Sequence, residues 1–535
     1  MTPDKIFFNG YILTQDKKQP VATAFAVSKG KIVAVDTSDS LYSFQSEGCE
    51  YFDLQQATVI PGFNDAHIHI WKVGNLLTNM LDLRGVKSIE EMQYRLSDYA
   101  KAHPELEWIQ ARGFNEVLFP DKRMPDRFDL DAVISDRPVS VIRTCAHQQI
   151  INTLALKVSG ISEHTPVPPG GEIKLLPDGT PSGHFTETAM GLIAKSIPPY
   201  RAEEYRKMIL AAQEAFLKVG ITSATDPAVM PDLLEVYRSM EKAGELKIRI
   251  NAIPVRVPDG ATRALPLPVF TAKEFLKVDT VKFFADGGLS GRTAALKQPY
   301  RNSSDHGMLR LTKDFFLPMA LEARENNFRI ATHAIGDVAI DLVLDVYKSI
   351  SKSGSHKIHN RIEHLGLPST ENLRLMKSLN VSAVMQPIFI RELGENFQRY
   401  LPEEYLERVY PVQSVLQHGI NLAFSTDAPV VSDFNPLTGI LAAINRLDNH
   451  GLPIAPNQRI TLQEALEAYT EGSAIANGDE HNRGSITIGK WADFVVMDRN
   501  MMQVSADEIT DCKVIAIYIG GNLQSGKPAV STQNF

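Results

Sequence analysis

The sequence predicts an α/β fold: a (β/α)8 TIM-type barrel, a discontinuous small β-domain (β-sandwich-like) drawn from both termini, and an α/β insertion after barrel strand 1. Three observations predict it. β-Rich texture occupies both ends of the 535-residue chain, a strand–helix alternation sets in at residue 201, and metal-ligand residue types recur where the alternating strands end. Eight strand-like segments, mostly separated by helical patterns, argue a closed parallel barrel. A doubly wound open sheet is the alternative. The lack of a Gly-x-Gly-x-x-Gly fingerprint after the early strands counts against it. The expected division is a composite β-domain of 1–61 and 478–535, a barrel of 62–84 and 198–477, and an insertion of 85–197.

In chain order, Ile6–Phe8, Tyr11–Leu13, Ala24–Val27 and Lys31–Val35 read as short strands broken at Asn9-Gly10 and Lys29-Gly30. Asn-Gly between two β-runs predicts a hairpin. Thr58-Val59-Ile60 are β-formers that Pro61-Gly62 interrupts. If the strand runs on, His67 and His69 point to one face, where two imidazoles can bind one metal ion. Within the insertion the pattern predicts a helix over 88–102, strands at 108–111 and 139–144, and a hairpin turning at Asp178-Gly179. From 201 to 219, Tyr205, Met208, Ile209, Ala212, Phe216 and Val219 recur at helical spacing. Strands follow at 220–225, 247–253, 280–285, 328–332, 361–363, 381–385 and 420–425. After a helix over 461–475 the chain returns to β-texture, with Asp493–Asp498 and Val514–Ile519 as strands.

Bulk properties exclude several classes. At 44% hydrophobic residues the chain can bury a large core. Its net charge of −8, with no basic run, argues against nucleic acid and anionic membranes as partners. Cys49, Cys145 and Cys512 are odd in number and far apart, which suits a reducing compartment and leaves any metal to His and carboxylate ligands. No apolar run approaches ~20 residues and the N-terminus lacks a signal pattern, so a cytoplasmic protein is expected. A small-molecule substrate and a homodimer are the expected partners.

Barrel enzymes place chemistry at the C-terminal ends of strands. There the first strand carries His67 and His69, the fourth Lys282, the fifth His333, the sixth His364 and the eighth Asp427. Each alone has a bland reading as a core histidine, a cap or a turn residue. All six together do not, because six accidents would have to fall on the right strand ends. Protonated Lys282 has no lone pair for a metal. Deprotonated and combined with carbon dioxide, it becomes an anionic carbamate able to bridge two ions. Pairing with Asp286 on the same strand face is the alternative.

His67-x-His69, Lys282, His333, His364 and Asp427 resemble, in order, the ligand set of the binuclear amidohydrolase superfamily. PGFNDAHIH, VKFFADGGLSGRTAAL, THAIGD, RIEHL and FSTDAPV resemble its YtcJ-like (amidohydrolase 3) branch, as do QARGFNEVLFP and PSGHFTETA in the insertion and the closing GSITIGKWADFVVMD. His184 departs from the branch, which is expected to carry an apolar residue there. The resemblance implies two divalent ions, zinc first, with manganese, iron or cobalt as substitutes. His67, His69 and Asp427 would hold one ion and His333 and His364 the other, sharing N6-carboxylated Lys282. It implies hydrolysis of an amide-type C–N bond by a metal-bound hydroxide, with Asp427 as general base and then acid.

Six further residues are candidates for substrate contact. Asp286 and Arg292 follow the fourth strand, and Arg292 could bind substrate or brace its loop; Gln386 ends the seventh strand; His147, His184 and Glu187 could reach over from the insertion. Asp337 could orient His333 or serve as a helix N-terminal acid. Two other readings stay open: a mononuclear deaminase of the same superfamily, which would not need Lys282, and a non-catalytic scaffold on the same fold.

Overall fold

The computed structural model describes residues 2–41, 48–259, 261–351 and 359–532. Eight short strands form its frame: β1 (Phe63–Asp65), β2 (Ile221–Val229), β3 (Arg249–Pro254), β4 (Thr280–Phe284), β5 (Arg329–Ala334), β6 (Arg361–His364), β7 (Ser382–Met385) and β8 (Leu422–Phe424). β1 to β3 pair in parallel, as do β4 to β8. The two arcs meet at both seams. Arg256 N–H donates to the Lys282 carbonyl at 3.0 Å, and Ala66 N–H to the Phe424 carbonyl at 3.2 Å. The arrangement is TIM-barrel-like α/β, with nearly every strand residue buried because helices cover the outer face and side chains fill the inner one.

The helix before β2 (Ala202–Lys218) buries Met208, Ile209, Ala212 and Phe216 along one stripe, as their spacing predicts. Helices Pro231–Lys242, Lys313–Glu325, Asp337–Ser351 and Thr370–Leu379 occupy equivalent connections. The link from β3 to β4 instead carries two short strands, Thr271–Ala272 and Leu276–Val278, which extend the first arc.

Three sequence-based expectations change. Thr58–Pro61 does not lead into the barrel. It pairs with Tyr11–Leu13 and Phe494–Met497 in a six-stranded sheet that joins both ends of the chain. The barrel strand begins one residue later, at Phe63, after a crossing at Gly62 where a Cβ would overlap the Thr222 side chain. His67 and His69 therefore lie beyond the strand, and His69 is the N-cap residue of the helix Ile70–Thr78. Asn9-Gly10 is not a hairpin. Lys5–Phe8 pairs with Ala24–Ser28 and Glu50–Asp53, while Tyr11–Leu13 joins the other sheet. Asn9, at φ +58°, turns the corner between the two sheets. Cross-packing of Phe7, Phe25, Phe494 and Tyr518 holds those sheets together.

The insertion builds its own six-stranded sheet, running from Gly171–Leu175 through Pro181–Glu187, Gln148–Ile151, Val139–Arg143 and Ile109–Phe114 to Leu81–Asp82. Helix Ile89–Ala102 covers it, started by Ser88, whose hydroxyl accepts from Glu91 N–H. Among the described residues, no helix is long and apolar enough to cross a membrane.

Candidate metal centre

His67, His69 and Asp427 converge at the C-terminal mouth of the strands, each offering one ligand atom within 4.8 Å of the others. Asp427 Oδ1 lies 3.4 Å from His67 Nε2 and 3.3 Å from His69 Nε2. Backbone geometry brings them together. Asp427 takes a left-handed conformation (φ +58°) and its N–H donates to the His67 carbonyl at 2.8 Å, locking the β8 end to the segment after β1. Burial opposes a charge on Asp427, yet the adjacent His67 and His69 imidazoles hold its carboxyl well below the usual range.

Three of the four imidazoles, those of His67, His364 and His333, are oriented by a hydrogen bond from the surrounding fold. His67 Nδ1 donates to Glu363 Oε2, leaving Nε2 turned to Asp427. His364 Nδ1 donates to Gln386 Oε1 at 2.8 Å, and Gln386 donates on to Ser425 Oγ at 2.8 Å. His333 Nε2 donates to the Gly287 carbonyl at 3.1 Å. Burial keeps His69 and His333 well below the usual imidazole range and pushes His364 down to about 3. Neutral imidazole is the form that binds a metal. The His333 and His364 ring centroids are 4.5 Å apart, and those of His67 and His364 4.8 Å.

Lys282 is fully buried, and its Nζ has no hydrogen-bond partner among the described residues. It does not pair with Asp286; the ammonium position lies over the Phe284 ring at 5.0 Å. Burial pushes its amine down to about 8, with Glu363 and Asp427 opposing that shift. His69 Nδ1 and Asp427 Oδ1 are likewise buried without partners. Partnerless buried donors and acceptors in an all-His and carboxylate set fit a divalent cation.

The remaining candidates fall into three places. Asp286 is structural: its oxygens accept the N–H groups of Ala295 (3.0 Å), Ile335 (3.0 Å) and Gly336 (2.8 Å), tying the loop after β4 to the end of β5. His147 reaches over from the insertion into a cavity of about 30 Å³ that also touches His333, His364 and Asp427. Its Nδ1 donates to Glu187 at 2.9 Å; burial opposes its charge, but Glu187 pushes it up to about 9. His184 and Arg292 do not join this cavity. They line a separate one of about 430 Å³, which meets the first at Ser290. His184 bonds Gln148 at 3.0 Å, and exposed Arg292 sits 5.3 Å over the Tyr400 ring. Asp337 accepts from Tyr405 (2.7 Å) and the Lys297 N–H (2.9 Å), so it acts as a helix N-terminal acid and not as a partner of His333.

Sequence reading missed Asp65, Glu363 and Arg361. Asp65 accepts from the N–H groups of His67 (3.1 Å) and Thr426 (3.3 Å), bracing both ligand segments. Arg361 clamps Glu363 at 2.5 and 2.9 Å and the Ala66 carbonyl at 2.5 Å. Arg361 and Glu363 alternate on one strand face, a period-two signal that was there to read. His364 follows directly, and its left-handed backbone (φ +73°) breaks the alternation that would have aimed it elsewhere.

The chain belongs to the amidohydrolase family, in its amidohydrolase 3 branch, whose profile matches residues 50–523. It is 27% identical to an N-substituted formamide deformylase of Arthrobacter pascens, over 97% of this chain and 98% of that one. It is 28% identical to the putative amidohydrolase YtcJ of Bacillus subtilis strain 168, with the same coverage. An uncharacterized metal-dependent hydrolase from Pyrococcus horikoshii OT3 superposes with a TM-score of 0.76 at 27% identity, covering 94% of this chain and 99% of its own.

Proposed function

We propose that this amidohydrolase-family chain hydrolyses an amide-type C–N bond of a small molecule. The convergence of His67, His69 and Asp427 carries the reading, and the kinship with a formamide deformylase supports the bond type. His67, His69 and Asp427 would hold one divalent ion, zinc first, and His333 and His364 a second. Lys282 would be shared between them after its free amine adds carbon dioxide and releases a proton, giving the carbamate. A bound divalent cation acidifies water and polarises the carbonyl of the scissile bond.

The chain's own residues do the rest. Asp427, anionic and held between two imidazoles, takes the proton of the attacking water and returns it to the departing nitrogen. Glu363 and Gln386 keep the imidazoles on the required tautomer. His147, protonated by its contact with Glu187, presents a cation to the same cavity and orients the substrate carbonyl. We read the frame as a closed (β/α)8 barrel (62–84 and 198–477) between a composite β-domain (1–61 and 478–535) and an insertion (85–197).

A mononuclear deaminase is the second reading. It is favoured by one observation: among the described residues, only His67, His69 and Asp427 form a converged group. Metal analysis of protein purified without chelator, with a hydrolysis screen of N-formyl amines and other amides, separates the two. About two ions per chain with amide turnover supports the first; one ion with ammonia release from an amino-heterocycle supports the second.

A further inference from the structure

A cavity of about 500 Å³ lies between the helix Ile70–Thr78 and the insertion sheet. Much of its wall is apolar or aromatic, including Trp71, Ile142, Met190, Ile197 and Tyr200. Three cations also line it, Lys72, Arg112 and Lys195, with Asp259 as the acid on the same wall. Lys72 follows His69 by three residues on the helix that His69 caps. Arg112 Nε donates to the carbonyl of Pro429 at 3.3 Å, two residues past Asp427. The cavity thus lies beside the ligand cluster, close enough that Asp427 acts on both Lys72 and Arg112.

Neither Lys72 nor Arg112 has an acid of its own. Among the described residues, the hydrogen bonds of Arg112 go to the carbonyls of Pro429 and Thr144, and the Lys72 amine lies over the Trp71 ring, 5.8 Å from its centroid. Three buried guanidinium groups elsewhere are answered by carboxylates, Arg143 by Glu116 at 2.7 Å, Arg249 by Asp493 at 2.6 Å and Arg361 by Glu363 at 2.5 Å. Arg446, by contrast, meets only carbonyls among the described residues and does not line this cavity. The acids that bear on the pair are engaged: Asp427 lies against His67 and His69, Asp226 accepts from Tyr237 at 2.6 Å, and Asp259 pairs with Arg310. Burial pushes Arg112 down to about 10 and lowers Lys72, whose charge Arg112 further opposes. Two desolvated cations side by side call for an anion.

We infer that this cavity is the substrate's anion subsite: Lys72 and Arg112 seat a carboxylate while Trp71 and Tyr200 hold the apolar or aromatic body to which it is attached. The inference rests on the hydrolase reading for its biological sense and names the class of amide turned over, one bearing a free carboxylate. A carboxylate suits the site better than a phosphate dianion, because Asp259 lines the same wall and opposes a second negative charge.

The test is calorimetric titration of the full-length protein, as purified, with phenylacetate and its neutral isostere phenylacetone. Phenylacetate should bind at least about tenfold tighter, and Lys72→Met should remove that preference with metal content unchanged. Lys72→Glu should invert it, favouring 2-phenylethylamine over phenylacetate. That inversion excludes capture of the carboxylate by a metal ion, and these surface-reaching Lys72 variants serve where Arg112→Met fails to fold. Equal binding of both probes, or a preference indifferent to Lys72, would overturn the inference. The two readings fail separately: Lys72-dependent binding without amide turnover sinks the hydrolase reading and leaves the subsite. Turnover of neutral amides with equal probe binding does the reverse.

Discussion

The two halves of the ligand set are prepared to different degrees. On one side His67, His69 and Asp427 already stand within ligand distance of one another, and His67 is held by a carboxylate that is itself clamped by Arg361. On the other, His333 and His364 are oriented by a carbonyl and by the neutral amide of Gln386, and their nearest shared neighbour of metal-binding use is a bare lysine amine. The first half is a site as folded. The second lacks an anion shared by its two imidazoles: Asp286 lies 3.5 Å from His333 Nε2 and Asp427 4.0 Å from His364 Nδ1. Under the proposed binuclear reading, the buried, partnerless Lys282 is where that anion would be added.

Asp427→Asn should have the largest effect. It removes the charge of the converged half and the proton carrier together, and kcat/KM should fall by about 10³-fold or more with the circular dichroism spectrum unchanged. A loss under about tenfold would break the comparison at its stronger side. Lys282→Ala should come next. Metal per chain should drop from about two to one, with activity down by about 10²-fold and partly restored by added short-chain carboxylic acids, since these resupply the missing anion. Unchanged stoichiometry would remove the contrast between the halves.

A smaller, sharper test uses the orienting residues. Glu363→Gln should weaken metal affinity by about 10- to 100-fold, as loss of a carboxylate behind a ligating imidazole does. Gln386→Ala, on the neutral-partner side, should cost less than about tenfold, because a charge-assisted bond is roughly twice as strong as a neutral one. Competitive chelator titration of both variants gives the ordering, and a reversed order would mean that the halves differ in name only. The smallest effect concerns pH. The folded pKa of His147 is raised to about 9 from an ordinary 6.5, so its pairing with Glu187 stabilises the fold fully below pH 6.5 and is lost as pH rises through 9. Melting temperature should therefore fall across that window in the wild type and stay flatter in His147→Gln. Parallel curves would show that the pair does not titrate there.

The ligand types were legible in sequence because each barrel strand ends where its apolar run ends, so the polar residue that follows is visible. What misled was the join. Thr58–Pro61 and Phe63–Asp65 read as one strand, but they part at Gly62, packed against the Thr222 side chain, and enter two different sheets. Asn9-Gly10 has hairpin chemistry locally, yet the flanking strands find better partners farther away, Lys5–Phe8 in Ala24–Ser28 and Glu50–Asp53 and Tyr11–Leu13 in Val21–Ala22 and Thr58–Pro61. Turn propensity is a weak force beside the burial of Phe7 and Phe494. Asp286 looked like a substrate residue for the same reason: its sequence position shows a carboxylate near a strand end, not the three amides that occupy it.

By itself, the sequence determined which side chains carry chemistry and on which strand ends they lie, since period-two and helical spacing are local properties of the chain. Only the tertiary structure decided which of them meet. Asp427 reaches His67 across 360 positions because its own left-handed backbone and three backbone hydrogen bonds, from Ala66 to Phe424, Asp427 to His67 and His69 to Ala428, join β8 to β1. The pairing of Lys72 with Arg112 is likewise a product of the insertion folding back against the helix after β1. Convergence of that kind is set by how the arcs close and what packs over them, and no short window of sequence contains it.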